Sequence, residues 1–456
     1  MPLGVRAALA TALATALATA LAAVVPRAAC APAVAPPARG TPEVTVRDTV
    51  PLGERGRVRL ARAAPGAAPP AGASCAIVTA RPAAAVPCSV REGRVELALP
   101  AGLARGVHRL HVTVARGGRT DTLDAPFVAR PLVVAHRGAS GHRPEHTLAA
   151  YDLAIAMGAD YVEPDLVRTR DGVLVARHEP EIGTTTDVAA RFPARRTTRV
   201  VDGDTVTGWF VDDLTLAELR TLRAVERLPR RSHAWDGRYL VPTFNEVLAL
   251  AARRGRERGR PVGVYPETKH PAYFRARGLP LEEPLLDALR RHGLAGADAP
   301  VWVQSFSWAS LERLRALGGA DGPRRVLLVD PAAGVADAPA PLRAPGAALT
   351  PAGLARVRGI AEALGVGKAG VLPLAVDDTI FAAPTTLVSD AHRAGLLVHV
   401  WTLRSDAPFL PAVYRGDAAA EWRRLAALGV DGLFGDFPDV GRAALAAVPP
   451  LPVPRR

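Results

Sequence analysis

From Pro131 onward, short apolar runs alternate with helical stretches, and that alternation points to an α/β architecture. Runs at 132–136, 161–166, 262–267, 301–305, 325–329, 371–374, 397–402 and 432–435 read as parallel strands. Eight of them suit a closed barrel. A doubly wound open sheet is the alternative, but chemistry-bearing residues stand at the ends of several separate strands, which a barrel accommodates better. Helical stretches fall at 146–157, 215–226 and 243–253; Thr215, with Glu218 three residues on, reads as a capped start. One link is too short for a crossover. VEPDLV and VLVARH are separated only by RTRDG (168–172), whereas a parallel connection needs about a dozen residues or more. This pair reads as a hairpin that returns His178 to the side of Glu163 and Asp165.

Residues 132–181 concentrate the chemistry. His136 and Arg137 follow the apolar run VVA and precede Gly138. Glu163 and Asp165 lie two apart on one strand, so their carboxylates share a face. Pro164 between them lacks a backbone donor but leaves that facing unchanged. His178 ends the run VLVA. Acids, bases and a fixed positive charge at strand ends suggest a hydrolase acting on a phosphate ester with a metal ion. Only two of the 57 basic residues are lysine, and one, Lys269, stands in YPETKH. A compact ammonium in so arginine-rich a chain suits a point-charge contact to phosphate.

The segment resembles the glycerophosphodiester phosphodiesterase family, particularly its secreted bacterial, periplasmic-type, metal-dependent members. The resemblance continues in family order through YPETKH (265–270), VWVQSFS (301–307), GVGKAGVLP (365–373), VHVWTL (398–403) and DGLFGDFPD (431–439). It implies a (β/α)8 TIM-type barrel and hydrolysis to glycerol 3-phosphate and an alcohol. His136 and His178 match the family's general acid and base, and Glu163, Asp165 and Glu267 match its metal ligands. Three oxygen donors without cysteine favour one Ca²⁺ or Mg²⁺ ion over zinc, with Ca²⁺ preferred. Arg137 and Lys269 are phosphate contacts on this reading. Gln304 and Trp401 match rim positions that face the glycerol group, although core packing serves equally for Trp401. Glu145 supports the first histidine or caps the following helix. Two positions depart from the family: Glu179 where many members carry aspartate, and Gly435 where threonine or serine is common. The rivals are a phospholipase C- or D-like enzyme acting on intact lipid or a teichoic-acid-type polymer, and an inactive envelope-binding protein.

The rest of the chain reads as accessory. Arg6, the alanine-rich run Ala7–Val25 and Pro26 suggest a secretion signal over residues 1–30. Thr11, Thr15 and Thr19 interrupt that run, which makes it a weak membrane span. A lipid anchor at Cys30 is disfavoured by Arg27, where a lipobox carries an aliphatic residue. Residues 31–41 form an alanine/proline linker, and alternating runs over 42–130 suggest a small all-β, sandwich-like domain. In it, Cys75 and Cys88 are either bonded, as export permits, or two buried thiols. The long stretch 180–241 reads as a lid or rim, 331–350 as a mobile loop and 446–456 as a proline/arginine tail. The formal charge of +13 comes from scattered arginines without aromatic interleaving. It therefore suits anionic envelope polymers or lipid surfaces better than specific nucleic-acid binding. The expected partner is a small glycerophosphodiester; the oligomeric state stays open.

Overall fold

The computed structural model describes residues 44–46, 49–51, 55–60, 72–77, 84–86, 88–91, 94–98, 106–116, 119–297, 299–374 and 380–446. The expected signal, the linker, Cys30 and nearly all of the tail lie outside them.

Eleven strands make one sheet. They are β1 (Leu132–His136), β2 (Tyr161–Glu163), β3 (Asp165–Arg168), β4 (Leu174–Ala176), β5 (Gly263–Val264), β6 (Glu267–Thr268), β7 (Trp302–Ser305), β8 (Arg324–Val329), β9 (Ala363–Gly367), β10 (Leu397–Leu403) and β11 (Gly432–Gly435). Their order is β4-β3-β6-β7-β8-β9-β10-β11-β1-β2-β5. Pro164 has no N–H to give, so β2 and β3 are two halves of one barrel strand. β5 and β6 are likewise split around Tyr265 and Pro266. A parallel bridge from Val264 to Val301 closes the ring beside β7. The result is a TIM-like α/β barrel of eight parallel strand positions. Only β4 runs antiparallel, pairing Leu166 with Ala176, which is the expected hairpin.

Strand alternation divides the apolar residues between two cores. Leu132, Val134, Tyr161, Tyr265, Trp302, Val326 and Phe434 form one buried cluster. Val133, Ala135, Val162 and Leu166 belong to the other, with the helices. Fully burying a side chain such as Phe434 contributes about 1.5–3 kcal/mol. A helix follows each barrel position: α1 (Leu148–Ala156), α2 (Phe244–Glu257), α3 (Glu282–Arg291), α4 (Trp308–Gly318), α5 (Pro351–Val357), α6 (Leu387–Arg393), α7 (Ala418–Ala427) and α8 (Pro438–Ala446). The starts are built as their sequences dictate: Thr147 caps α1, and Thr243 with Glu246 forms a capping box on α2.

Three expectations need correction. The sixth strand is β9, not 371–374. Pro373 can give no ladder hydrogen bond, and a 3-10 turn at Lys368–Gly370 already separates that run from the sheet. In β9 a Cβ at Gly365 would come within 2.5 Å of Leu328, so the small residues that hide the strand signal are needed for packing. The helix expected over 215–226 is one turn, Leu216–Leu219, with its Thr215–Glu218 capping box as read. Beyond it the backbone pairs elsewhere, Thr186 with Ala224 and Val225 N with Thr185 O, which stops the helix. Residues 331–350 are packed rather than loose: Val335, Ala338, Leu342 and Ala348 are buried around two 3-10 turns.

Within 44–130 the strands form two sheets. One has four strands, in the order Val44–Val46, Arg55–Leu60, Arg94–Ala98, Cys88–Arg91. The other has five, in the order Thr49–Pro51, Arg119–Arg130, Gly106–Arg116, Gly72–Ile77, Ala84–Val86. Cys75 and Cys88 are disulfide-bonded, with Cα atoms 6.1 Å apart, and the bond ties one sheet to the other. No helix among the described residues is long and apolar enough to cross a membrane.

Candidate active site

The strand register brings the reactive residues side by side at one end of the barrel. His136 pairs with Glu163, Asp165 with Glu267, and Glu267 with Gln304 on neighbouring strands. They line a cleft of about 140 Å³ together with Arg137, His178, Lys269, Phe306, Trp401, Thr402 and Arg404. The hairpin delivers His178, as its short link required.

Glu163, Asp165 and Glu267 are buried and each offers an oxygen within 4.8 Å of the others. Glu163 Oε2 accepts from Arg137 N at 2.8 Å, and its Oε1 from Gln304 Nε2 at 3.0 Å. Asp165 Oδ2 pairs with His146 Nε2 at 2.8 Å and faces Arg137 Nε at 3.4 Å. Glu267 Oε1 pairs with Lys269 Nζ at 3.0 Å. Burial and the charge of Asp165 push the Glu163 carboxyl well above its ordinary value. Burial also raises Glu267 to about 7, with Lys269 pulling against it. The Oε1 atom of Gln304 is buried there without a hydrogen-bond partner. Three mutually repelling carboxylates, all hard oxygen donors and all held by second partners, fit a divalent cation.

Both histidines are held through Nδ1 by a carboxylate. His136 Nδ1 bonds Asp436 Oδ1 at 2.6 Å, and His178 Nδ1 lies 2.6 Å from Glu179 Oε1. His178 Nε2 accepts from Lys269 Nζ at 3.2 Å. Burial, with the charge of Arg137, lowers His136 to about 4 and His178 to about 3, Lys269 adding to the effect on His178. Both imidazoles are therefore neutral near pH 7 and present basic nitrogens.

A family model described as the glycerophosphoryl diester phosphodiesterase family matches residues 136–440. The chain belongs to this family. It is 33% identical to the glycerophosphodiester phosphodiesterase GDPD6 of Arabidopsis thaliana over 324 residues, covering 68% of this chain and 84% of that protein. It is 33% identical to the Haemophilus influenzae glycerophosphodiester phosphodiesterase over 195 residues, spanning 40% of this chain and 52% of the relative. Among solved structures, a putative family member from Silicibacter pomeroyi is 25% identical over 70% of this chain and 93% of that one, with a TM-score of 0.48. The protein is a phosphoric diester hydrolase of the glycerophosphodiester phosphodiesterase class.

In this family member Glu145 is not the helix cap, since Thr147 Oγ1 takes that place. Its carboxylate accepts Arg137 Nη1 on both oxygens at 3.0 Å and Arg227 Nε at 2.7 Å, which orients Arg137 toward the carboxylate cluster. Trp401 is half-buried on the cleft wall, edge-to-face with Phe306 at 5.6 Å. Glu179 preserves the carboxylate that holds His178, as expected for the longer homologue of aspartate. At Gly435 a Cβ would come within 2.4 Å of the Trp422 ring, so the bulk a threonine would supply is occupied from behind.

Residue patterns alone missed the partners. Asp436 lies within DGLFGDFPD, directly after a barrel strand, and that position was its available signal. Arg231 had none. It comes from the 180–241 insertion, bonds both oxygens of Asp406 at 3.0 and 2.6 Å, and reaches Asp436 Oδ2 at 2.5 Å. The insertion thus forms a rim on the His136 side.

On the His178 side, His270 Nε2 pairs with Glu179 at 2.9 Å and Nδ1 with Asp202 of the insertion at 2.7 Å. Burial opposes its charge, but the two carboxylates prevail and raise it to about 9. Because the folded value lies above the unfolded value of about 6.5, this contribution to stability is full below that pH and is lost as pH rises through about 9. Tm measured against pH for wild type and His270→Asn should converge across that window; a gap constant with pH counts against the charged bridge.

Proposed function

We propose that the protein hydrolyses glycerophosphodiesters to glycerol 3-phosphate and a free alcohol, with His136 and His178 as the acid–base pair. The observation that carries this reading is the convergence of two neutral histidines and three buried carboxylates on one cleft of a family member. An attacking hydroxyl gives its proton to one imidazole, and the other, which takes up a proton from solvent once the anionic phosphate sits beside it, delivers that proton to the leaving alkoxide. Asp436 and Glu179 fix the ring tautomers from behind. Arg137 and Lys269 attract and orient the phosphate, the guanidinium as a planar fork and the ammonium as a point charge. Glu163, Asp165 and Glu267 would hold one divalent ion, Ca²⁺ in preference to Mg²⁺, whose chemistry is to draw charge from a phosphate oxygen as a Lewis acid. Phe306 and Trp401 provide an apolar wall for the glycerol carbons.

The same proposal places the enzyme outside the cytoplasm, exported by residues 1–30, with a β-sandwich domain over 42–130 ahead of the barrel. The disulfide between Cys75 and Cys88 supports an oxidising destination. The test is release of glycerol 3-phosphate from glycerophosphocholine by the purified protein, in EDTA and after addition of Ca²⁺ or Mg²⁺. Turnover that EDTA removes and the metal restores is expected. No turnover with any divalent metal would overturn the proposal.

A further inference from the structure

Arg404 follows β10 at the mouth of the cleft and has no role in the reaction so far. Its Nε donates to Asp436 Oδ2 at 3.0 Å, while the other oxygen of that carboxylate holds His136. One carboxylate therefore fixes the guanidinium and the imidazole next to each other. The guanidinium carbon lies 4.6 Å from the centre of the Phe409 ring, which braces its plane. The side chain is only 20% exposed, and it lines the same cleft as His136, Arg137 and Lys269. Among the described residues its two terminal nitrogens have no hydrogen-bond partner. Asp436, its one carboxylate partner among the described residues, also serves Arg231.

A largely buried guanidinium with two unused N–H edges is an incomplete site. What completes it is an oxyanion, such as a phosphate, that accepts from those N–H groups. We infer that Arg404 is a substrate-binding residue whose terminal N–H groups hold a non-bridging phosphate oxygen on the His136 side of the cleft. The inference rests on the proposed reaction, in which that oxygen belongs to the glycerophosphodiester and then to glycerol 3-phosphate. Chemically this is more than a third attraction. Attack on a monoanionic diester produces a dianionic centre, so a guanidinium placed there favours the transition state and the product over the substrate. Burial, with repulsion from Arg137, Arg227 and Arg231, lowers the affinity of Arg404 for its proton, although Asp436 pulls the other way.

The experiment is calorimetric titration of the full-length protein in Ca²⁺ with inorganic phosphate and with glycerol 3-phosphate. It compares wild type, Arg404→Gln and Arg404→Lys, alongside kcat and KM on glycerophosphocholine. Arg404→Gln should weaken glycerol 3-phosphate about 10- to 100-fold, and kcat should fall more than KM rises. Arg404→Lys should recover part of the anion affinity, since an ammonium offers charge without the fork. A residue that only braces Asp436 would alter Tm or the pH profile and leave anion affinity within twofold of wild type; that result overturns the inference. Should the glutamine variant not fold, the lysine variant decides by the same criterion. Absence of turnover in the wild type would overturn the proposed reaction, while the phosphate titrations would still decide the role of Arg404.

Discussion

Replacing His136 by alanine is expected to lower kcat on glycerophosphocholine by about 10²–10⁴-fold, with KM little changed. The imidazole is anchored through Nδ1 to Asp436, which leaves Nε2 as its free ring nitrogen. Burial and Arg137 hold it at about 4, so the free protein carries it neutral near pH 7. The substitution should not unfold the site, because Asp436 keeps Arg231 and Arg404 as partners. A stability signature accompanies the kinetic one. The folded value of His136 lies below the unfolded value of about 6.5, so its contribution to stability is full above that pH and is lost as pH falls through about 4. Wild-type Tm should therefore fall more steeply than that of His136→Ala between these values. A kcat within tenfold of wild type would remove His136 from the acid–base pair.

The second large effect has opposite signs with and without metal. Glu163→Gln should raise the Tm of the metal-free protein, abolish the Tm gain produced by Ca²⁺ or Mg²⁺, and cut activity by about 10³-fold or more. In the metal-free wild type, Glu163 is buried against Asp165 and Glu267, and burial with their charges makes its ionised form costly. A neutral amide relieves that repulsion. Its geometry can be satisfied: Arg137 N can donate to the new amide oxygen, and Gln304, whose Oε1 lacks a partner, can flip to accept from the amide nitrogen. With metal the order reverses. A ligand at 100 times its Kd stabilises the folded state by about 2.7 kcal/mol, and a site lacking one of three carboxylates forfeits most of that. Thermal melts of both proteins in EDTA and in metal test both signs. Equal metal-induced Tm gains would exclude Glu163 as a ligand.

Much of the architecture was legible because its signals are local. Period-two alternation placed Glu163 and Asp165 on one face, and a five-residue link required the hairpin that returns His178. The signal failed where packing governs residue choice. β9 is written in small residues because Leu328 lies against Gly365, while the better-looking run beyond it carries Pro373. Residues 331–350 resemble a loose loop in composition, yet four of their apolar side chains are buried.

The same division holds within the site. The sequence named the two histidines, the three carboxylates, Arg137 and Lys269 through their match to the family's motifs, each a short run of residues near a strand end. Tertiary structure alone supplied their holders. His136 meets Asp436 across 300 residues, and Arg231 meets Asp436 across 205. No local periodicity encodes those distances. They arise because β11 closes the barrel against β1 and the insertion folds back over that seam, so partner choice is set by ring closure rather than by neighbouring residues.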